Sequence, residues 1–241
     1  IFLAIVVGAM LSTAGVAFQG ILRNPLADPY ILGVSTGAAL GAAVSILLSK
    51  YLSLLSNHWS IPLFAFAGSM LSLWLVMTLA SHGGQRERET LILAGVVVQS
   101  LLGAFLSFLI ASSGEQMQQI VFWMMGSLAN KSWSHVAVLL PYLGLGIILL
   151  FLKHRELDIF ALGERAAAHL GVNVERTKVL VLAIASFLTA AAVSAVGVIG
   201  FVGLVVPHCM RLIYGPNHKS LLLASVVGGG LFLLISDTIA R

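Results

Sequence analysis

The chain has 241 residues, of which 59% are hydrophobic and 9% charged, with 13 Lys and Arg against 9 Asp and Glu. Soluble domains carry about 25% charged residues, so this chain has too few to cover a water-facing globule. The net charge of +4 comes from scarce acids rather than a dense basic face, which excludes nucleic-acid binding. Cys209 is the single cysteine, so no disulfide scaffold is available, and the apolar content excludes disorder. A polytopic membrane protein remains.

Uncharged runs cover 1–22, 29–49, 51–85, 90–114, 132–152, 179–210 and 220–236. A spanning helix needs about 20 apolar residues, and the aliphatic runs lack strand-like alternation, so helices are expected over a barrel. The first span, 1–22, carries Ala4, Gly8 and Ser12 at four-residue intervals, and the second, about 31–50, carries Gly33, Gly37 and Gly41 likewise. That interval places small residues on one helix face, where a neighbouring backbone approaches closely. Between them, Arg23-Asn24-Pro25-Leu26-Ala27-Asp28-Pro29-Tyr30 predicts a sharp turn, with Arg23 and Asp28 placed to cap helix ends.

The next spans are 61–82 and 91–112, joined by a charged loop. Gln99, Ser100, Gly103 and Ser107 lie in the latter; Gln99 belongs against protein or a water-filled path rather than lipid. Ala94-Gly95-x-x-x-Gln99 echoes Ala14-Gly15-x-x-x-Gln19, which hints at an internal repeat. Residues 113–131 are too apolar for a free loop and predict a short helix at the outer surface. A span follows at 134–152. The run 179–210 is long for one span, and Gly197, Gly200, Gly203 and Pro207 interrupt its second half, so a full span and a short broken one are expected. With the last span from 220, that makes eight membrane segments. Both ends of the chain read as trimmed.

Ten of the thirteen basic residues fall on one side if loops alternate: Arg23, Arg86, Arg88, Lys153, Arg155, Arg165, Arg176, Lys178, Arg211 and Lys219. The positive-inside rule makes that side cytoplasmic. Trp59, Trp123 and Trp133 then fall near outer ends of spans, where interfacial aromatics belong.

The cytoplasmic segment 153–178 holds nine of all the charges in 26 residues. Leu157, Phe160, Ala161, Ala168 and Leu170 nevertheless form an apolar stripe at helical spacing, Gly171 reads as a helix stop, and Asn173 caps a further short helix. This predicts a helix–turn–helix element outside the bilayer: either an interfacial helix on lipid headgroups or a knob for a separate cytosolic motor to grip.

The chain carries no Walker A pattern, since Asn130 and His218 occupy the glycine position before Lys131-Ser132 and Lys219-Ser220. No Cys/His cluster has zinc spacing. His208 follows Pro207 and is expected to satisfy a carbonyl freed by the proline. Asp237 is expected to pair with Arg241, four residues on.

The chain as a whole resembles the FecCD-type permeases, the membrane subunits of bacterial ABC importers for ferric siderophores, haem and cobalamin. The resemblance is carried by Leu11-Ser12-x-Ala14-Gly15-x-x-x-Gln19-Gly20-x-Leu22 running into Arg23–Pro29, with Leu32-Gly33-Val34-Ser35-x-Gly37-Ala38. It continues in Leu91–Val96, in Leu162-Gly163-Glu164-x-Ala166-x-x-x-Leu170-Gly171-Val172, and in Gly197-x-Ile199-Gly200-Phe201 through His208. It implies an all-α polytopic membrane protein with the ABC type II importer permease fold, of which about eight of ten spans are present, forming a single permease domain over 1–241. The first and last family spans are missing, so this stretch alone is not expected to transport.

The resemblance makes 157–171 the coupling helices, with Leu157, Phe160, Leu162, Gly163, Glu164, Arg165, Leu170 and Gly171 docking an ATPase. It makes Gln99, Ser100, Gly103 and Ser107 candidates for the translocation path, and Arg241 and Lys131 candidates for docking a binding protein. It implies a homodimer, two ATP-binding cassette subunits, and a periplasmic or lipid-anchored substrate-binding protein, in the bacterial inner (plasma) membrane. No cofactor or metal is expected on the chain; ATP and Mg belong to the partner ATPase. An iron chelate is the expected cargo, with haem or cobalamin as the alternative. An ion-coupled secondary transporter and a permease for bare zinc or manganese are the rival readings; a naked-ion path would need clustered His, Asp or Glu within spans, which this sequence lacks.

Overall fold

The computed structural model describes residues 1–52, 57, 59–81 and 87–240. Among these residues it is all-helical, with no strand. They form two compact units: Ile1–Pro29 with Leu128–Thr189 and the chain from Gly200, and Tyr30–Ser127 with Ala190–Ile199. Among the described residues six helices are long and apolar enough to cross a membrane, and two shorter apolar ones, Val34–Ser49 and Val202–Tyr214, bring the segments to the eight expected.

In the first unit, helix α1 (Phe2–Leu22) is buried at every residue from Val6 to Leu22. Lipid gives helices no hydrophobic reason to associate, so close van der Waals approach through small residues must do it. Such approach is what α1 has. A Cβ on Gly8 would collide with the Gly229 carbonyl, and one on Gly15 with the Gly203 carbonyl. The expected small-residue face of α1 is thus a packing face. Arg23 ends α1 in the left-handed region at φ 48°, its N–H bonded to the Gln19 carbonyl.

The second unit is built around α2 (Val34–Ser49), with α3 (Ser60–Ser81), α4 (Arg88–Ser112) and α5 (Met117–Met124) packed on it. Gly37 meets the Gly68 carbonyl and Gly41 the Phe64 carbonyl. Ser69 donates to the Val34 carbonyl at 2.9 Å and Ser72 to the Leu32 carbonyl at 3.2 Å, which satisfies hydroxyls that lipid could not. Gly33 corrects the expectation. It is not inside a span but stands before α2 at φ 71°, because the chain leaves a short 3-10 turn at Pro29–Leu32 there. The short helix expected in 113–131 is α5. Its Ile120 is buried with Ala39, Ala43, Ile46 and Leu106, while Phe122 and Met125 face out. Tyr30 donates to the Ile199 carbonyl at 2.7 Å, and the Ser127 N–H bonds the Val196 carbonyl at 2.7 Å.

The chain re-enters the first unit as α6 (Trp133–Leu152), followed by α7 (His154–Ala161) and α8 (Glu164–His169). Helix α9 (Val174–Val196) starts five residues before the uncharged run, with its residues from Ala190 in the second unit. Asn173 does cap a helix, its Oδ1 accepting from the Arg176 N–H at 3.0 Å, but that helix is the long α9 rather than a separate short one. The predicted break falls at Gly197–Phe201, after which α10 (Val202–Tyr214) carries Pro207 inside it. His208 does not repair the proline: its Nδ1 is buried without a hydrogen-bond partner among the described residues. Helix α11 (His218–Ala240) closes the unit against α1 and α10. Arg241, the expected partner of Asp237, lies outside the described residues, as do 53–56, His58 and 82–86.

Candidate functional site

Helices α7 and α8 form the expected helix–turn–helix pair, joined only by Leu162 and Gly163. Gly163 sits at φ 114°, which a residue with a Cβ rarely adopts, so the pair turns sharply there. Gly171 follows α8 at φ 83° and stops it. The structure divides the residues assigned to ATPase coupling. Leu157 and Phe160 are fully buried, with Leu157 Cδ2 3.2 Å from where a Cβ on Gly20 would lie. Leu157 thus holds the pair to α1, and Phe160 is buried one turn further along α7. The side chains left outward are Leu162 and Leu170, 68% and 61% exposed, with Arg165 beside them.

Polar fasteners supplement this apolar seat. Lys178 of α9, its side chain 3% exposed, pairs with Glu164 at 2.9 Å. Asp158 of α7 meets His218 and Asn217 at the start of α11. The Arg23 guanidinium reaches Gly163, 3.5 Å from where its Cβ would stand. Glu164 is therefore an internal anchor as well as a surface acid. The sequence shows Asp158 and Lys178 only as members of a charge cluster. Asn217-His218-Lys219-Ser220 after Gly215-Pro216 was a readable helix start, but its partner on α7 lies 60 residues away.

A cleft of about 550 Å³ opens among Lys153, Glu156, Leu170, Asn173, Arg176 and Leu180. Burial pushes the Glu156 carboxyl up, but the Lys153 hydrogen bond, a backbone hydrogen bond and the charges of Lys153 and His154 together hold it below its ordinary 4.5. A carboxyl depressed in the folded state contributes stability above its unfolded pKa and loses it as pH falls through the folded value. We expect the thermal midpoint to drop on acidification below about pH 4.5. Glu156→Gln should remove that component, and an identical acid profile for the two proteins would refute the assignment.

The path candidates all lie on α4, in the second unit. Gln99, Ser100 and Ser107 are exposed and Gly103 is half-buried, with Thr36 Cγ2 of α2 3.9 Å from where its Cβ would be. Gln99 lies against the turn at Gly33. Its counterpart Gln19 is buried and donates to the Leu204 carbonyl at 3.0 Å. In both echoes the glycine faces a carbonyl, Gly203 for Gly15 and Ile31 for Gly95. Lys131 is half-buried outside the spans, and burial lowers its ammonium below the usual lysine range.

Multiple apolar spans, short broken helices and a clamped pair of helices outside them describe a multi-pass membrane protein with the fold of an ABC transporter permease. The FecCD transport family model matches residues 1–241, and the chain belongs to that family. It is 45% identical over its whole length to the cobalamin import system permease protein BtuC of Halobacterium salinarum, spanning 64% of that protein. It is 40% identical to the hemin transport system permease protein HmuU of Yersinia pestis and 39% identical to the Fe(3+) dicitrate transport system permease protein FecD of Escherichia coli K12, spanning 72% and 74% of them. A metal-chelate type ABC transporter solved in an inward-facing conformation superposes with a TM-score of 0.90 at 32% identity, over 100% of this chain and 76% of that one.

Proposed function

We propose that this chain forms the membrane permease of a bacterial ATP-driven importer in the inner (plasma) membrane. Its cargo is an iron chelate, a ferric siderophore, delivered by a substrate-binding protein. A second copy completes the path, and ATP is hydrolysed with Mg by two separate cassette subunits. The observation that carries this reading is the α7–α8 pair. Its inner side buries Leu157, against α1, and Phe160, and its outer side presents Leu162, Arg165 and Leu170, exposed among the described residues. A rigid protrusion of that kind is what a motor needs in order to favour one of two permease states through differential contacts. Exposed apolar residues ringed by charges also suit a protein partner.

Gln99, Ser100, Gly103 and Ser107 are proposed to border the path, and Lys131 and Arg241 to meet the binding protein. The names of relatives support chelates as a class; haem or cobalamin is the second reading, favoured by the 45% identity to a cobalamin permease. The test is reconstitution of the full-length protein with its ATPase and binding protein. A ferric siderophore is expected to stimulate ATP hydrolysis, and stimulation by haem or cobalamin alone would select the second reading. Arg165→Glu is expected to leave the protein inserted and to cut uptake at least tenfold. Unchanged uptake, or uptake that follows an ion gradient and ignores ATP, would sink the motor-docking role.

A further inference from the structure

We infer that Asp158 is the positioning residue that ties the α7–α8 pair to α11 and conveys the pair's displacement to that span; this rests on the docking reading above. The first N–H groups of a helix have no partners within it. At α11, Asn217 Oδ1 accepts from the N–H groups of Lys219 at 3.0 Å and Ser220 at 3.4 Å. The His218 N–H goes elsewhere, to Asp158 Oδ1 at 2.8 Å. The same oxygen lies 2.7 Å from His218 Nδ1. An ionised carboxylate only accepts, so Nδ1 carries the proton and donates it to this bond. Asn217 Nδ2 reaches the other oxygen, Oδ2, at 3.4 Å. One carboxylate on α7 therefore completes the N-terminal cap of a 23-residue span and faces its positive dipole end.

The ring that receives Asp158 has little room to turn. His218 is 1% exposed, and a Cβ on Gly20 of α1 would lie 2.8 Å from its Nε2. Movement of α7 away from this point must either uncap α11 or draw α11 along. Helix α8 is fastened to a different span, through Glu164 and Lys178 of α9. Besides its apolar seat on α1, the pair is thus fastened to two further spans, and Asp158 is the residue that serves α11.

The experiment uses the full-length permease in lipid nanodiscs with its ATPase and binding protein, Cys209 replaced by serine, and two spin-label pairs. Labels at Ala161→Cys and Tyr214→Cys follow the docking pair; labels at Ser134→Cys and Ile239→Cys follow α11. With Asp158 present, ATP is expected to shift both distances by about 1–2 Å or more. Asp158→Ala should keep the first shift and lose the second. Asp158→Asn, whose Oδ1 still accepts both His218 bonds, should restore it, a rescue that general destabilisation would not produce. An α11 shift in Asp158→Ala equal to the parent's overturns the inference while the docking reading stands. A parent whose docking pair ignores ATP overturns both. Should Asp158→Ala not insert, His218→Gln removes the ring bond and keeps the backbone one. A reduced α11 shift is then expected, and an undiminished one overturns the inference.

Discussion

Replacing Gly15 with leucine is expected to lower the thermal midpoint and the yield of folded protein sharply. A Cβ there runs into the Gly203 carbonyl and stands 2.8 Å from Pro207 Cγ. Neither obstacle is the free end of a flexible side chain. Helix α10 cannot retreat as a simple remedy, because Gly203 is itself hemmed in. A Cβ on it would lie 2.6 Å from Pro29 Cγ and 2.9 Å from the Leu11 carbonyl oxygen. Overpacking a tight contact costs about 1–3 kcal/mol, occasionally more, against a total stability of about 5–15 kcal/mol. Four added carbons between two backbones belong at the upper end. Gly144→Leu is the control, since nothing stands within 4 Å of its Cβ position. Size-exclusion profiles and thermal midpoints in detergent should separate the two variants. Equal behaviour would mean that α1 and α10 are not in close contact.

Glu164→Ala should destabilise the protein more than Lys178→Met, although it removes the more exposed partner of the same ion pair. The Lys178 side chain is 3% exposed and that of Glu164 32%. Loss of Glu164 takes from a buried ammonium the acid that it meets at 2.9 Å, and breaking a buried pair from one side costs about 3–5 kcal/mol. Partial solvation of the carboxylate puts this case toward the lower figure. Lys178→Met leaves only a half-exposed carboxylate, which water solvates. The double variant Glu164→Gln with Lys178→Met should regain much of the loss, because no buried charge remains. Thermal midpoints of the three variants decide the order. A milder effect for Glu164→Ala than for Lys178→Met would contradict the pairing.

The membrane architecture was readable because it depends on properties local to each run. Twenty apolar residues make a span whatever they touch, and Gly197 with Pro207 mark an interruption by backbone chemistry alone. The glycines at 8, 37 and 41 were readable as contact points from their four-residue rhythm. Gly33 follows the same rhythm and does something else, since its left-handed φ comes from the turn that precedes α2. The apolar stripe of 157–170 was visible, but not which members point inward; Leu157 and Phe160 do, whereas Leu162 and Leu170 do not. Periodicity fixes a face but not what that face meets. Asp158 with His218, and Glu164 with Lys178, were the least legible. Each is an ordinary charge or ring in sequence and acquires its role from a partner on another helix.

The enclosure of α1 also bears on how the protein is made. This helix leaves the ribosome first among those described, yet every residue from Val6 to Leu22 is buried. Its partner at Gly8 is Gly229, made more than two hundred residues later. Until then α1 must rest in lipid or against a temporary neighbour with its small-residue face unmatched. Most of the second unit, Tyr30–Ser127, is by contrast one uninterrupted stretch, whose helices meet within about a hundred residues of synthesis. The middle of the chain is thus equipped to assemble early, whereas the packing of α1 waits until α11 closes against it.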